Sequence, residues 1–222
     1  MPQTRLKVWD LPIRAFHWLL VGLISYQLFS ALSEGGPEEL HLTIGYILMA
    51  LIIFRVLWGI FGSHTARFSQ FLHSPSKVFN YVRQPEKTPQ SRGHNPVGGY
   101  SVLLMLTLIS IQIATGLLCD DEIMLSGPLS QYFSQTTISI SNQIHAINAK
   151  LLIVVISVHT MAIFWYQIIK RIDLITPMVT GFSRSIEDSK AHDPVLEKPI
   201  LATCLIAGSV GVVLVFLAIV GE

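Results

Sequence analysis

Apolar residues dominate five windows of the sequence, and the polar residues gather between them. The windows cover residues 15–33, 40–61, 97–118, 142–169 and 199–220. A membrane-spanning helix needs roughly 20 mainly apolar residues, so each window is long enough to cross a bilayer. None of them alternates between apolar and polar positions, as the strands of a transmembrane barrel do. The pattern predicts an all-α integral membrane helical bundle with five transmembrane helices.

Composition agrees with a membrane protein and excludes several other classes. Hydrophobic residues make up 51% of the chain and charged residues 13%, whereas soluble domains carry about 25% charged residues. The longest polar stretches, 63–96 and 170–198, leave no room for a soluble domain. Cys119 and Cys204 form no CxxC or CxxCH motif, which argues against a disulfide framework, a zinc knuckle and covalently attached haem. The formal net charge is +1, and we expect no nucleic-acid partner.

The placement of charge predicts the orientation in the membrane. With five spans, the N-terminus and the two long polar stretches share one side, which holds 13 of the 15 lysines and arginines, all but Arg55 and Lys150. The positive-inside rule places that side in the cytoplasm and the C-terminus in the periplasm of a bacterial inner membrane. The first window follows basic residues as a signal peptide does, but its apolar run is longer than a signal core, so we expect it to be retained. The opposite loops contain no basic residue and hold six acidic ones: Glu34, Glu38, Glu39, Asp120, Asp121 and Glu122.

Four histidines in or beside the predicted spans sort into two pairs by depth. His145 and His159 are 14 residues apart. On an α-helix this interval returns to within about 40° of the starting direction after a rise of roughly 21 Å. His41 opens the second span on the outer side, and His17 opens the first span on the inner side. The sequence therefore predicts an outer pair, His41 with His145, and an inner pair, His17 with His159.

Two stacked histidine pairs in a helical bundle suit two haems. Each iron takes two neutral imidazoles from facing helices, and such ligation leaves no open position, which favours electron transfer. The alternative is that membrane histidines serve as interhelical hydrogen-bond partners or as members of a proton relay in a transporter or channel. Spectroscopy for haem separates these hypotheses. The loop residues His64, His73, His94 and His192 are predicted to be solvated.

Three basic residues are candidates for contacts with haem propionates. Arg55 follows His41 by the same interval of 14 residues, so it should face the same way at the depth of the inner pair. An arginine fork suits a carboxylate, but Arg55 could instead extend to the cytoplasmic headgroups. Arg14, one turn before His17, is a weaker candidate because it could serve only as a topology charge. Lys150 could meet an outer propionate, although it points about 140° away from His145 on the helix.

Motifs in four stretches carry a family resemblance: VWDLPIRAFHWLLVGL, HLTIGYILMALIIFRVLWGIFGSHTARF, GHNPVGGYS and IHAINAKLLIVVISVHT. They resemble the bacterial dihaem cytochrome b561 family and the b-type subunits of nickel–iron hydrogenases, over about residues 8–182. The resemblance implies two non-covalent haem b groups, ligated by His17, His41, His145 and His159. It also implies electron exchange between membrane quinone and an outside partner.

The resemblance suggests a division of the chain into two parts. Residues 1–182 form a dihaem cytochrome b domain with a four-helix haem-binding core, and residues 183–222 form a cytoplasmic connector and the fifth transmembrane helix. That helix lacks histidine and departs from the short four-helix members of the family. Its GxxG motif, from Gly208 to Gly211, is typical of a packing or partner-docking surface. An oligomer that uses this surface is therefore possible.

The family resemblance implies two alternative redox functions, each with its own partner. The protein could link a periplasmic electron-transfer protein, such as a c-type cytochrome, to the quinone pool, as a respiratory or hydrogenase-like subunit. It could instead be a quinone oxidoreductase that oxidises superoxide, an activity of this family. Acidic outer loops favour a basic protein partner over the superoxide anion. Residues that could line an inner quinone site are Arg14, Trp18, Arg55, Trp58, His64 and Arg67, although Trp9, Trp18 and Trp58 fit interfacial anchors better.

Overall fold

The computed structural model describes residues 5–32, 38–84, 93–120, 126–184 and 198–221. Helices dominate this part of the chain, which confirms the all-α class. Two short 3-10 turns lie at His64–Ala66 and Ser130–Tyr132. The other elements, in chain order, are β1 (Arg5–Lys7), α1 (Leu11–Leu32), α2 (Glu38–Phe61), α3 (Phe68–Phe71), α4 (Pro75–Arg83), α5 (Pro96–Gly116), α6 (Gln135–Ile168), α7 (Ile175–Thr180), β2 (Phe182–Arg184) and α8 (Pro199–Val220).

The five long helices, α1, α2, α5, α6 and α8, occupy the five apolar windows. Four of them, all but α1, are long and apolar enough within the described residues to cross a membrane. Helix α1 has 22 residues and covers the first window, and its crossing of the membrane stays a prediction. Helix α6 has 34 residues and begins well before the predicted span. The protein is an integral membrane helical bundle.

Local sequence explains where these helices begin and end. Asp10 precedes α1, and its Oδ1 accepts a 2.8 Å hydrogen bond from the Ile13 backbone N–H. Asn95 precedes α5 in the same way, with Oδ1 accepting from the Gly98 N–H at 2.7 Å. Such side chains satisfy N–H groups that have no partner within the helix. At the carboxyl end of α2, Lys198 Nζ donates to the Phe61 carbonyl at 3.0 Å, where a cation is favoured by the helix dipole.

The chain divides into two compact units. The first unit comprises Met1–His17, Arg55–Leu104 and Val158–Thr203, and the second comprises Trp18–Phe54, Met105–Ser157 and Cys204–Glu222. The predicted division at residues 182 and 183 stays a prediction.

Aromatic side chains and backbone turns build the interior of the first unit. Trp58 is fully buried and Phe71 nearly so. Strands β1 and β2 pair antiparallel, with Leu6 opposite Ser183. Gly181 ends α7 with φ of +90°, and its carbonyl accepts the Val8 N–H at 2.8 Å. A Cβ at Gly181 would lie 2.9 Å from the Trp9 carbonyl oxygen, so both the positive φ and the close approach require glycine.

Neutral polar groups hold the interior of the second unit. Asn148 of α6 is 3% exposed, and its Nδ2 donates to the Gln112 Oε1 at 2.6 Å and to the Leu108 carbonyl at 2.9 Å, both on α5. Near the carboxyl end of α5, Asn142 Nδ2 donates to the Asp120 carbonyl at 2.8 Å. In lipid such interhelical bonds contribute about 0.6–2 kcal/mol each. They set the register of α6 against α5.

A short amphipathic helix, α4, presents apolar side chains at the surface. Phe79 is 55% exposed and Val82 is 64% exposed. The Arg83 guanidinium lies 4.4 Å from the centre of the Phe79 ring. Apolar groups flanked by cations are typical of helices that lie at a membrane surface, which agrees with contact between this protein and lipid.

Candidate haem sites

The second unit brings His41 of α2 and His145 of α6 together. Their ring centroids are 6.4 Å apart, and the ring planes are inclined by 62°. A metal–nitrogen bond of about 2 Å on each side, plus about 1 Å from each nitrogen to its ring centre, separates two ligating imidazoles by roughly 6 Å. The spacing therefore fits a single iron between the two rings. Their assignment as ligands stays a prediction.

The first unit contains the other predicted pair, His17 of α1 and His159 of α6. These two imidazoles lie close enough for their charges to interact. Among the described residues no group of three or more His, Cys, Asp or Glu side chains converges as a metal site. A haem needs only two ligands from the protein, because the porphyrin nitrogens supply the other four ligands of the iron. The donor set at each pair thus suits a haem better than a bare metal ion.

Arg55 is buried in the first unit instead of reaching the surface. Its side chain is 2% exposed, and its guanidinium carbon lies 4.8 Å from the centre of the Phe68 ring. Its charge interacts favourably with that of Asp10. Among the described residues, the Arg55 Nη1 has no hydrogen-bond partner. A buried guanidinium nitrogen without a partner is costly, so this atom is a suitable donor for a carboxylate brought by a cofactor.

Asp10 is a carboxylate of this site that is not among the residues predicted from the sequence. It is fully buried, and its Oδ2 accepts a 3.0 Å hydrogen bond from the Trp58 indole Nε1. Since its Oδ1 caps α1, one side chain joins the start of α1 to α2 and places a negative charge near Arg55. The signal in the sequence was an aspartate directly before a helix. Its indole partner lies 48 residues away.

His94 corrects a prediction. The sequence predicts a solvated loop residue, but the His94 ring lies between two aromatic rings, with centroid distances of 4.8 Å to Trp9 and 4.8 Å to Phe71. The pKa of His94 is lowered to about 4, mainly by burial and additionally by Coulomb repulsion from Arg55, His159 and His17. The prediction was wrong because Trp9 and Phe71, which are distant in sequence, pack against the ring. By contrast, His64 is exposed as expected, and His192 lies outside the described residues.

The predicted interfacial tryptophans divide in two. Trp18 is 46% exposed, which agrees with an anchor at the membrane interface. Trp9 is 8% exposed and Trp58 is 0% exposed, so the prediction was wrong for both. Both are core residues of the first unit, because Trp9 contacts the His94 ring at a tilted angle and Trp58 donates a hydrogen bond to Asp10.

The remaining basic candidates have other surroundings. Arg14 Nη1 donates to the Val179 carbonyl of α7 at 2.6 Å, so this arginine joins α1 to α7. Its Nε is buried without a hydrogen-bond partner among the described residues. Lys150 is exposed on α6. The contacts of Arg14 and Lys150 with haem propionates stay predictions.

The predicted acidic loop surface is described only in part. Glu39 is exposed, and Asp120 is partly buried. The side chain of Glu38, and Glu34, Asp121 and Glu122 as whole residues, lie outside the described part of the structure. This surface therefore rests on the sequence.

Comparison with known proteins identifies the family. A sequence profile of the prokaryotic cytochrome b561 family matches residues 8–181. The chain belongs to that family. This cytochrome is therefore a membrane b-type cytochrome that holds haem b and transfers electrons. No solved structure gives a significant match to it.

Curated relatives are probable Ni/Fe-hydrogenase B-type cytochrome subunits. The cytochrome is 24% identical to one from Azotobacter chroococcum mcd 1 over 219 residues and 25% identical to one from Azotobacter vinelandii over 224 residues. Each alignment covers 84% of this chain and 91% of the relative. It is 28% identical to a third, from Rhizobium leguminosarum bv. viciae, over 130 residues, which are 46% of this chain and 53% of that protein.

Proposed function

We propose that this cytochrome carries electrons across the bacterial inner membrane through two bis-histidine haem b groups. His41 and His145 hold the outer haem, and His17 and His159 hold the inner one. The N-terminus lies in the cytoplasm and the C-terminus in the periplasm. Bound haem supplies one-electron chemistry, and iron with two histidine ligands has no open position for oxygen.

The single observation that carries this proposal is the 6.4 Å separation of the His41 and His145 ring centroids. The two histidines come from different helices and are 104 positions apart in the sequence, since 145 − 41 = 104. Two imidazoles in direct hydrogen-bond contact would bring their nitrogens to about 3 Å and their ring centres to about 5 Å at most, which is shorter than the observed separation. The family, which holds haem b, favours iron over a hydrogen-bonded pair.

Arg55 supports the assignment of an inner haem. A buried cation needs a partner, and Asp10 already accepts hydrogen bonds from Trp58 and from the Ile13 N–H. A propionate of the inner haem would be the acceptor for the free Arg55 Nη1. In this arrangement Arg55 orients the haem and offsets the propionate charge.

Charge supports a periplasmic protein as the electron partner. The loops assigned to the periplasm contain six acidic residues and no basic one. Such a surface attracts a protein with a basic patch, such as a c-type cytochrome, and repels the superoxide anion. The inner haem would exchange electrons with membrane quinone.

A second candidate function is that of the b-type subunit in a hydrogenase-like complex. The observation that favours it is the alignment with the Azotobacter proteins over 91% of their length. In that case, hydrogen with a membrane-bound hydrogenase would reduce the haems, and a reduced c-type cytochrome would not. Anaerobic stopped-flow absorbance with each donor in turn separates the two partners.

A pyridine haemochrome assay on the purified chain tests the haem scheme. We expect a haem-to-protein ratio of two. His145→Ala and His159→Ala should each bring the ratio to one by removing different haems, which redox titration distinguishes by the midpoint that remains. His64→Ala, at an exposed histidine, is the control and should keep both haems. A ratio of one in the unmodified chain, or both haems in His145→Ala, would refute the pairing.

A further inference from the structure

The end of α5 meets the ring of His145 through a hydroxyl group. Thr115 is 8% exposed, and its Oγ1 lies 3.1 Å from the His145 Nδ1. The same Oγ1 lies 2.8 Å from the Ile111 carbonyl oxygen and 3.2 Å from the Gln112 carbonyl oxygen. Three neighbours thus compete for a hydroxyl that has one proton.

The assignment of that proton determines the form of the imidazole. Carbonyl oxygens only accept, so the Thr115 proton must point to Ile111 or Gln112 for either contact to be a hydrogen bond. Towards His145 the hydroxyl is then an acceptor, and the His145 Nδ1 must carry a proton. The backbone of Gln112 also forms a hydrogen bond with His145. With Nδ1 protonated in the neutral ring, the lone pair available to a metal is on Nε2.

Gly116, the next residue, lets the ring approach the backbone of α5. A Cβ at this position would lie 3.1 Å from the His145 Cε1 and 3.5 Å from the Nδ1. The shorter distance is below ordinary van der Waals contact, so an alanine would displace the ring by a few tenths of an ångström. One turn along α6, Asn148 binds Gln112 and the Leu108 carbonyl, which limits how far α6 can move in response.

We propose that Thr115 and Gly116 are positioning residues that hold His145 with Nδ1 protonated and Nε2 directed to the haem iron. This inference rests on the proposed function, in which His145 is a haem ligand. A hydrogen bond accepted from the far nitrogen makes a histidine ligand more basic. A more basic ligand favours the oxidised iron, so Thr115 should lower the midpoint potential of the haem that His145 binds.

The test is redox titration of Thr115→Val, which removes the hydroxyl acceptor with little change in shape and leaves the Gln112 backbone in place. We expect the midpoint of the outer haem to rise and that of the inner haem to stay unchanged. A tenfold change in the reduction equilibrium would correspond to about 59 mV for one electron. Thr115→Ser keeps the oxygen and should keep the midpoint. Thr107→Val, at an exposed threonine of the same helix, is the matched control.

Two further variants keep the result decisive. If Thr115→Val does not accumulate, Thr115→Ala should give the same shift. Gly116→Ala should change the low-spin electron paramagnetic resonance signal of one haem, because the ring must move. Unchanged midpoints in the Thr115 variants, an equal shift in Thr115→Ser, or an unchanged signal in Gly116→Ala would overturn the inference. If His145→Ala keeps both haems, the proposed function fails as well. If His145→Ala loses one haem but Thr115→Val leaves both midpoint potentials unchanged, only the positioning role is refuted.

Discussion

The two histidine pairs lie in surroundings of different chemistry. Near His17 and His159, the first unit buries two opposite charges, Asp10 and Arg55. At His145, in the second unit, the neighbouring group is a neutral threonine hydroxyl. Fixed charges act over several ångströms and shift redox equilibria, whereas neutral hydrogen bonds act at contact and set orientation. We therefore expect charge to determine the properties of the first site and hydrogen-bond geometry those of the second.

Loss of the Asp10 carboxylate should have the largest effect on stability. Asp10→Ala removes a helix cap worth about 0.5–2 kcal/mol and leaves the Trp58 indole N–H buried without its acceptor, at about 1–3 kcal/mol. We expect a loss of about 2–4 kcal/mol, against about 0.6–2 kcal/mol for Asn148→Ala in the second unit. Thermal unfolding in detergent, followed by circular dichroism, compares the two. Equal losses of stability in the two variants would contradict the expected difference between the charged and the neutral interior. Asp10→Asn keeps one side-chain oxygen for the cap, so the stability that this variant retains shows how much that oxygen contributes.

His94 should make the first unit sensitive to acid. Its pKa is lowered from 6.5 to about 4 by burial and by Arg55, His159 and His17. Between these values the unfolded chain binds more protons than the folded one, so this contribution to stability is full above pH 6.5 and is lost as the pH falls through 4. The full loss is on the order of 3 kcal/mol. Unfolding temperatures at pH 7 and pH 4.5 should therefore differ less in His94→Gln than in the unmodified protein or in His64→Gln, and an equal fall in all three would contradict this prediction.

Arg55 should raise the midpoint of the inner haem, because a nearby positive charge disfavours oxidised iron. At an effective dielectric constant of about 20, one such charge contributes on the order of 1–2 kcal/mol, or roughly 40–90 mV for one electron. Arg55→Leu should lower that midpoint and leave the outer haem unchanged. Arg83→Leu, which removes an exposed arginine of α4, is the control in the same titration. If the inner midpoint did not move, Arg55 would serve to pack on Phe68.

Neutralising the acidic loops should have the smallest effect, confined to encounter with a partner. Exposed charges are screened at physiological ionic strength, so replacing Asp120, Asp121 and Glu122 by their amides should slow association with a basic c-type cytochrome a few-fold at low salt. Stopped-flow rates at several salt concentrations measure this. The matched control neutralises Glu187 and Asp188 on the side assigned to the cytoplasm. A rate that stays the same in the loop variant would exclude these residues from the docking surface.

Much of the helical architecture was predictable because hydropathy is a local property. Runs of about 20 apolar residues need no knowledge of their neighbours to be recognised as helices, and α8 matches its predicted window from Pro199 to Val220. The smaller elements around α3, α4 and α7 were missed. They are short, and tertiary contacts such as the pairing of β1 with β2 maintain them.

The pairing of His41 with His145 could be anticipated because helical rise and rotation convert sequence intervals into depth and direction. Such periodicity cannot say which side chain of another helix faces a given residue. Three contacts form only when segments distant in sequence pack together: the hydrogen bond between Asp10 and Trp58, the ring contact between His94 and Trp9, and the contact between Thr115 and His145. The sequence by itself determined the helices and predicted matched depths for the histidines. Only the tertiary structure decided which charges, rings and hydroxyls surround each of them, because those contacts depend on how the helices rotate and pack against one another.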